Sequence, residues 1–230
     1  MSSKITDGTD YWEPKIVSMF RIAFGSFLCL ITLWGCNSSN PLPYYNSPNF
    51  TPLFIENPKA VGMQIDHKIA DFRATDQNED TITLEQLKGK VHVANFMFTR
   101  CTSICPTMTN HLKIIADTYE KETQFALLSF SVTPWMDSIP TLRSFAKSYG
   151  IKAKNWHLLT GQKSEIYSLA RRSYFAEKNL GYTKDSTEFL HTEHVLLVDP
   201  KLRLRGIYNA TLKPDMLQLQ KDIAQLLAEK

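Results

Sequence analysis

The stretch Val91–Asn110, VHVANFMFTRCTSICPTMTN, constrains this chain more than any other. Val91 to Phe98 is an apolar run of strand character, as expected of a central strand covered on both faces. Thr99 and Arg100 end it. Cys101 and Cys105 follow with three residues between them, then Pro106, then Met108, Leu112, Ile115 and Tyr119 at helical spacing. A buried strand therefore hands over to a helix at two thiols. The first turn of a helix offers unsatisfied N–H groups and the positive end of the dipole. Both favour thiolate over thiol, and Arg100 adds positive charge.

The flanking sequence alternates strand and helix patterns. Ile69–Thr75 reads as a strand, Asp76–Asp80 as a hairpin turn, Thr81–Thr83 as the return strand and Leu84–Leu87 as a helical turn closed by Gly89. A helix is predicted over Pro106–Lys121 and a second buried strand over Phe125–Val132. Ser138–Tyr149 is a helix capped by Ser138 and stopped by Gly150. Trp156–Leu159 reads as a strand, Ser164–Ser173 as a helix and Phe175–Glu188 as a polar loop. Val195–Val198 and Leu202–Tyr208 form a hairpin about Asp199-Pro200-Lys201, and Lys213–Glu229 is a closing amphipathic helix. This order describes an α/β sandwich of thioredoxin type, with a central mixed sheet flanked by helices and an N-terminal hairpin extension. The two cysteines fall at the end of its first central strand. A fold of that kind hosts many functions, so the site must decide.

Ahead of this domain the text changes character. Residues 1–18 are polar and unpatterned and are read as an upstream over-call, with Met19 as the true start. From Met19, Arg21 supplies a short positive region and Ile22–Trp34 an apolar one, too short for the roughly 20 apolar residues of a membrane span and suited to a secretory signal. Leu33-Trp34-Gly35-Cys36 resembles a bacterial lipobox, so residues 19–36 read as a lipoprotein signal with Cys36 the lipidated residue. The competing reading is an uncleaved anchor; either one places the domain on the extracytoplasmic face of the cell envelope. Residues 37–64 carry Pro41, Pro43, Pro48, Pro52 and Pro58 and read as an extended tether that becomes an outer strand, with ordered structure expected from near Ile65. Residues 65–230 form the folded domain. A net charge of +3 without a clustered basic stripe argues against nucleic acid as a partner.

Of the four cysteines, Cys29 and Cys36 belong to the apolar N-terminal segment, which leaves the folded domain only Cys101 and Cys105. The pair could be a plain disulfide or inert thiols, although structural disulfides seldom span so tight a turn. It could be a redox couple, with one cysteine attacking and the other resolving. It could also supply two thiolates to a soft metal, which an imidazole would complete. Three intervening residues, where redox pairs of this fold usually have two, leave more room for a metal. Six histidines are available: His67, His92, His111, His157, His191 and His194. His191 and His194 stand where the polar loop meets Val195–Val198, an end of the sheet expected to face the cysteines. Spacing alone does not choose between them.

FTRCTSICPTM, followed about ninety residues later by HTEHVLLVDP, resembles the Sco/SenC family of copper chaperones for cytochrome c oxidase. IADFRATDQ, LKGKVHVANFMFT, LLSFSVTP, NWHLLTG and VDPKLRLRGIY extend the resemblance over about residues 65–230. The resemblance implies a copper site, Cu(I) or Cu(II), with Cys101, Cys105 and His191 as ligands; His191 matches the family's histidine by its nine-residue distance from Pro200. It also implies delivery to the dinuclear copper centre of a haem–copper oxidase, through the oxidase's copper-bearing subunit. A second periplasmic copper chaperone or a thiol reductase is the further partner it suggests. The alternative function is a thiol–disulfide oxidoreductase using Cys101 and Cys105. Two departures bear on loop stiffness and charge near the site: Thr102 and Ser103 stand where the family carries a proline-containing pair, and Thr133 where its S-V-D-P has an acid.

Overall fold

The structure, a computed structural model, describes residues 41–176 and 192–229. Among the described residues a mixed sheet of nine strands runs in the order β2-β1-β9-β8-β5-β6-β7-β3-β4. Its centre is β5 (Val91–Met97), flanked by β6 (Phe125–Ser131) and β8 (His194–Val198). All seven residues of β5 and all seven of β6 are buried, as continuous apolar runs covered on both faces require. β6 pairs in parallel with β5 and with β7 (Trp156–Thr160), so these three strands point their C-terminal ends the same way. β3 (Arg73–Asp76) and β4 (Thr81–Thr83) form one antiparallel margin. β9 (Leu204–Asn209), β1 (Tyr44–Tyr45) and β2 (Pro52–Leu53) form the other.

Helices cover both faces. Val91, Val93 and Met97 of β5 face a core shared with α2 (Cys105–Thr118), α3 (Ile139–Ser148) and α5 (Lys213–Ala228). Ala94 and Phe96 face a second core with Leu84, Leu87, Tyr167, Tyr174 and Phe175. This alternation along one strand is the two-residue period of the pleat. Ser138 caps α3 as expected, its hydroxyl accepting from the Thr141 N–H, and Gly150 ends the segment at φ 63°.

Three differences from the sequence reading have physical causes. Ordered structure begins well before Ile65, because Arg205 of β9 holds the proline-rich segment down. Its guanidinium donates to the carbonyls of Leu42 and Pro43 at 3.0 and 3.1 Å and stacks 4.0 Å from the Tyr44 ring centroid. Tyr45 then pairs with Leu204, so the expected outer strand forms, and the short helix α1 (Val61–Gln64) precedes Ile65. The predicted strand Ile69–Thr75 pairs only over Arg73–Asp76; Ile69 instead gives its N–H to the Leu202 carbonyl. α4 (Lys163–Ser168) continues as a π-helical turn over Leu169–Ser173, where a plain α-helix was expected.

Candidate metal centre

Cys101 and Cys105 stand at the C-terminal end of β5, and Cys105 opens α2. The N-cap residue, Ile104, has no side chain that can accept a hydrogen bond, and none caps the helix. The Cys101 sulfur takes that place: the Cys105 N–H donates to its Sγ at 3.5 Å. Both thiols are free. Cys101 is half-buried and Cys105 is 5% exposed.

Their environments drive them apart. Burial raises the Cys101 thiol, but hydrogen bonds from the Cys105 N–H, the Cys105 thiol and the Ser103 and Ile104 N–H groups outweigh it, so its pKa falls below the ordinary value. Burial, seconded by the hydrogen bond to Cys101 and its negative charge, pushes Cys105 up to about 12. The sulfur near solvent is shifted towards thiolate, and the one beneath it is held as a thiol.

A buried carboxylate that the sequence reading missed lies under this loop. Asp137 is fully buried; it accepts from the hydroxyls of Thr99, Ser131 and Thr133 at 2.6, 2.6 and 3.0 Å, and from the Thr99 N–H at 3.3 Å. Thr99 leads into Cys101, so Asp137 ties the start of the thiol loop to the turn after β6. The departure at Thr133 thus leaves an acid at the site: Thr133 is a hydroxyl partner of the carboxylate four positions on. The signal available in the sequence was three hydroxyl residues, Thr99, Ser131 and Thr133, ending two adjacent buried strands. Such hydroxyls need an acceptor.

Five of the six histidines have partners away from the cysteines. His67 Nε2 meets the Ser173 carbonyl at 2.8 Å, and His92 Nε2 the Tyr174 hydroxyl at 3.0 Å. His111 Nδ1 meets the Ala210 carbonyl at 2.7 Å, and His157 Nδ1 the Asp76 carboxylate at 2.9 Å. His194 begins β8 with its ring edge-on to Phe50. Among the described residues no third His, Cys, Asp or Glu groups with the cysteines as a metal cluster. His191 and Cys36 lie outside the described residues. β8 is antiparallel to β5 with Asn95 opposite Val195, so it starts where β5 ends, and Thr192, next after His191, is buried.

This is a thioredoxin-like protein with a C-x-x-x-C-P cysteine pair at a strand-to-helix junction. Residues 62–228 match the SCO1/SenC family, and the chain belongs to it. A SCO1/SenC family lipoprotein from Bacillus anthracis superposes with a TM-score of 0.60 at 26% identity, covering 70% of this chain and 96% of that one. BsSco, described as a member of the Sco family of cytochrome c oxidase assembly proteins with a disulfide switch, does so with 0.60 at 29%, covering 71% and 95%. ScoI from Bradyrhizobium japonicum, solved with copper bound, does so with 0.54 at 25%, covering 68% and 98%. Among the described residues no helix is long and apolar enough to cross a membrane.

Proposed function

We propose that this protein binds one copper ion through Cys101, Cys105 and His191 and hands it to the dinuclear copper centre of a haem–copper oxidase during assembly. The observation that carries the reading is the pairing of a thiolate-favouring, partly exposed Cys101 with a buried Cys105 at one end of β5. Two sulfurs are a soft donor set suited to Cu(I), and an imidazole added to them suits Cu(II) as well. His191 is supported by the occupation of the other five histidines and by the start of β8 at the thiol end of the sheet. Copper is the metal of the solved B. japonicum relative, and oxidase assembly is the role ascribed to the family of BsSco. Residues 19–36 are the signal that anchors the protein, lipidated at Cys36, on the outer face of a membrane, a reading the lipoprotein relative supports. Copper titration of the reduced full chain tests the site. Wild type holds one copper tightly and His191→Ala much more weakly; an unchanged affinity removes His191, and no copper binding sinks the proposal.

The unequal thiols favour a second reading, a thiol–disulfide reductase. The Cys101 thiolate attacks a partner disulfide, one partner sulfur leaves as thiolate, and Cys105 then displaces the other to close Cys101–Cys105. Turnover of a mixed-disulfide substrate by metal-free protein supports it. A dithiol that reduces no such substrate excludes it.

A further inference from the structure

The folded domain begins within a few residues of Cys36. Leu42 is buried, and Arg205 grips the carbonyls of Leu42 and Pro43. Pro41, the exposed residue before them, is five positions after Cys36. Chain of that length, fully extended, spans at most about 18 Å. A domain of this size has a radius of gyration of about 16 Å. The side of the domain that receives the tether therefore faces whatever surface holds Cys36.

That side carries exposed apolar side chains. Eight large ones are exposed among the described residues, and three of them, Leu53, Phe54 and Met63, at 36%, 63% and 84%, belong to one short stretch beside the tether. Leu53 pairs with Tyr44 across β2 and β1, and Phe54 follows it. Asn46, next after β1, donates its side-chain amide to the Gln64 carbonyl at 3.4 Å and accepts from the His67 N–H at 3.0 Å. This brings the end of α1, and Met63 with it, to the same strand. Both stretches thus flank β1, the strand that the tether enters. β2 is the outermost strand of the sheet, but it is two residues long and starts with proline. So short an edge offers little backbone for another strand to pair with. What the margin offers is side-chain hydrophobicity. Its charged residues, Glu56, Lys59, Asp66 and Lys68, are exposed and of equal number in each sign, so the segment carries no net charge.

We infer that Leu53, Phe54 and Met63 rest in the interface of the phospholipid bilayer that holds Cys36. The inference rests on the anchor reading and not on the copper site. The short tether already keeps this margin at the lipid surface, and burying a phenyl ring, an isobutyl group and a thioether there fixes one orientation of the domain. Without net charge, the contact is apolar and indifferent to salt and to headgroup charge. β5 lies four strands in from β2, roughly 19 Å away at the ordinary strand spacing. The bilayer contact therefore stands the sheet on its edge and keeps the thiol loop clear of the headgroups.

The test adds one tryptophan at a time to the full-length protein, reconstituted in phosphatidylcholine vesicles brominated on the acyl chains, and reads the emission added over wild type. Phe54→Trp and Met63→Trp each add blue-shifted emission, about half or more of which the brominated lipid quenches. Ile114→Trp, at a 60% exposed site on α2, adds emission that the lipid leaves unquenched. Quenching is the same at high salt and with phosphatidylglycerol added; quenching that needs the anionic lipid overturns the apolar contact. Unquenched emission at Phe54→Trp and Met63→Trp, in protein that floats with the vesicles, overturns the lipid contact and leaves the anchor standing. Equal quenching at all three sites overturns it too, because the domain then holds no fixed orientation. A Phe54→Trp signal that shifts with protein density but not with brominated lipid assigns the margin to a second copy, and overturns the inference. Protein that does not float with the vesicles overturns the anchor reading itself, and the margin with it.

Discussion

The two ends of the central sheet make different use of the same strands. At the thiol end, β5 and β6 finish in a half-open loop where Cys101 takes a helix N–H and Cys105 stays protonated beneath it. At the opposite end charged groups are tied to one another and to the backbone. Arg205, 3% exposed, holds Leu42 and Pro43, meets Glu229 at 3.2 Å and Asp199 at 3.5 Å, and covers Tyr44. Asp199 also accepts the N–H groups of Lys201 and Arg203 at 2.9 Å each. Gly206, next to Arg205, is required because Tyr208 folds back over it: a Cβ there would stand 2.2 Å from the Tyr208 hydroxyl. That hydroxyl donates to the buried Asp222 of α5 at 2.7 Å. One end fastens both termini of the domain; the other keeps a sulfur available. The contrast teaches that reactivity here depends on a rigid base, since a loop can stay half-open only if its strands are fixed elsewhere.

Removing a thiol should separate the two ends most sharply. Cys101→Ser or Cys105→Ser abolishes tight copper binding in a titration of the reduced chain, while the urea midpoint moves less than for the clamp substitution below, Cys105→Ser more than Cys101→Ser because Cys105 lies in the core. A large loss of stability in either variant would show that the thiol end is part of the scaffold after all. The converse change is Arg205→Met, which leaves the buried Asp199 carboxylate without its guanidinium and frees the proline-rich segment. Breaking such a pair costs about 3–5 kcal/mol, so the urea midpoint drops markedly while copper affinity in the folded protein is retained. Equal stability would remove the clamp from the account.

Acid should act at the locked end as well. His92, the second residue of β5 and fully buried, has its pKa lowered by burial to about 3. Its Nδ1 meets no hydrogen-bond partner among the described residues. In the unfolded chain it titrates near 6.5, so the unfolded state binds the proton first. Stability is full above that value and falls as pH drops from about 6.5 towards about 3, by up to about 1.4 kcal/mol per pH unit. Urea midpoints measured across that window in wild type and His92→Gln check it: the variant has the shallower slope, and parallel slopes would assign the acid sensitivity to other groups. The smallest effect is at α3, where Ser138→Ala removes a cap and costs about 1 kcal/mol without touching copper.

Much of this was legible in the sequence because each signal was local. The strand Thr81–Thr83, the turn Leu84–Leu87 and the Ser138 cap fell where residue type placed them. The thiol junction could be read because an apolar run, two cysteines and a proline are contiguous. What could not be read was set by partners far away in the chain. Proline density between Pro41 and Pro58 argues correctly against helix and central strand, but an arginine more than 160 positions later decides that the segment is ordered. Asp137 looks like any charge before a helix until Thr99, 38 residues earlier, is seen to donate to it. The start of β8 at the thiol end, by contrast, was expected from the order of the elements, and its antiparallel pairing with β5 bears that out.

The central claim is a copper site of two sulfurs and one imidazole. X-ray absorption of the reduced, Cu(I)-loaded full chain measures it directly. The account predicts a shell of two sulfur donors and one nitrogen donor, with the nitrogen lost in His191→Ala and one sulfur lost in Cys105→Ser. A single sulfur in wild type, or a nitrogen that persists in His191→Ala, would contradict it.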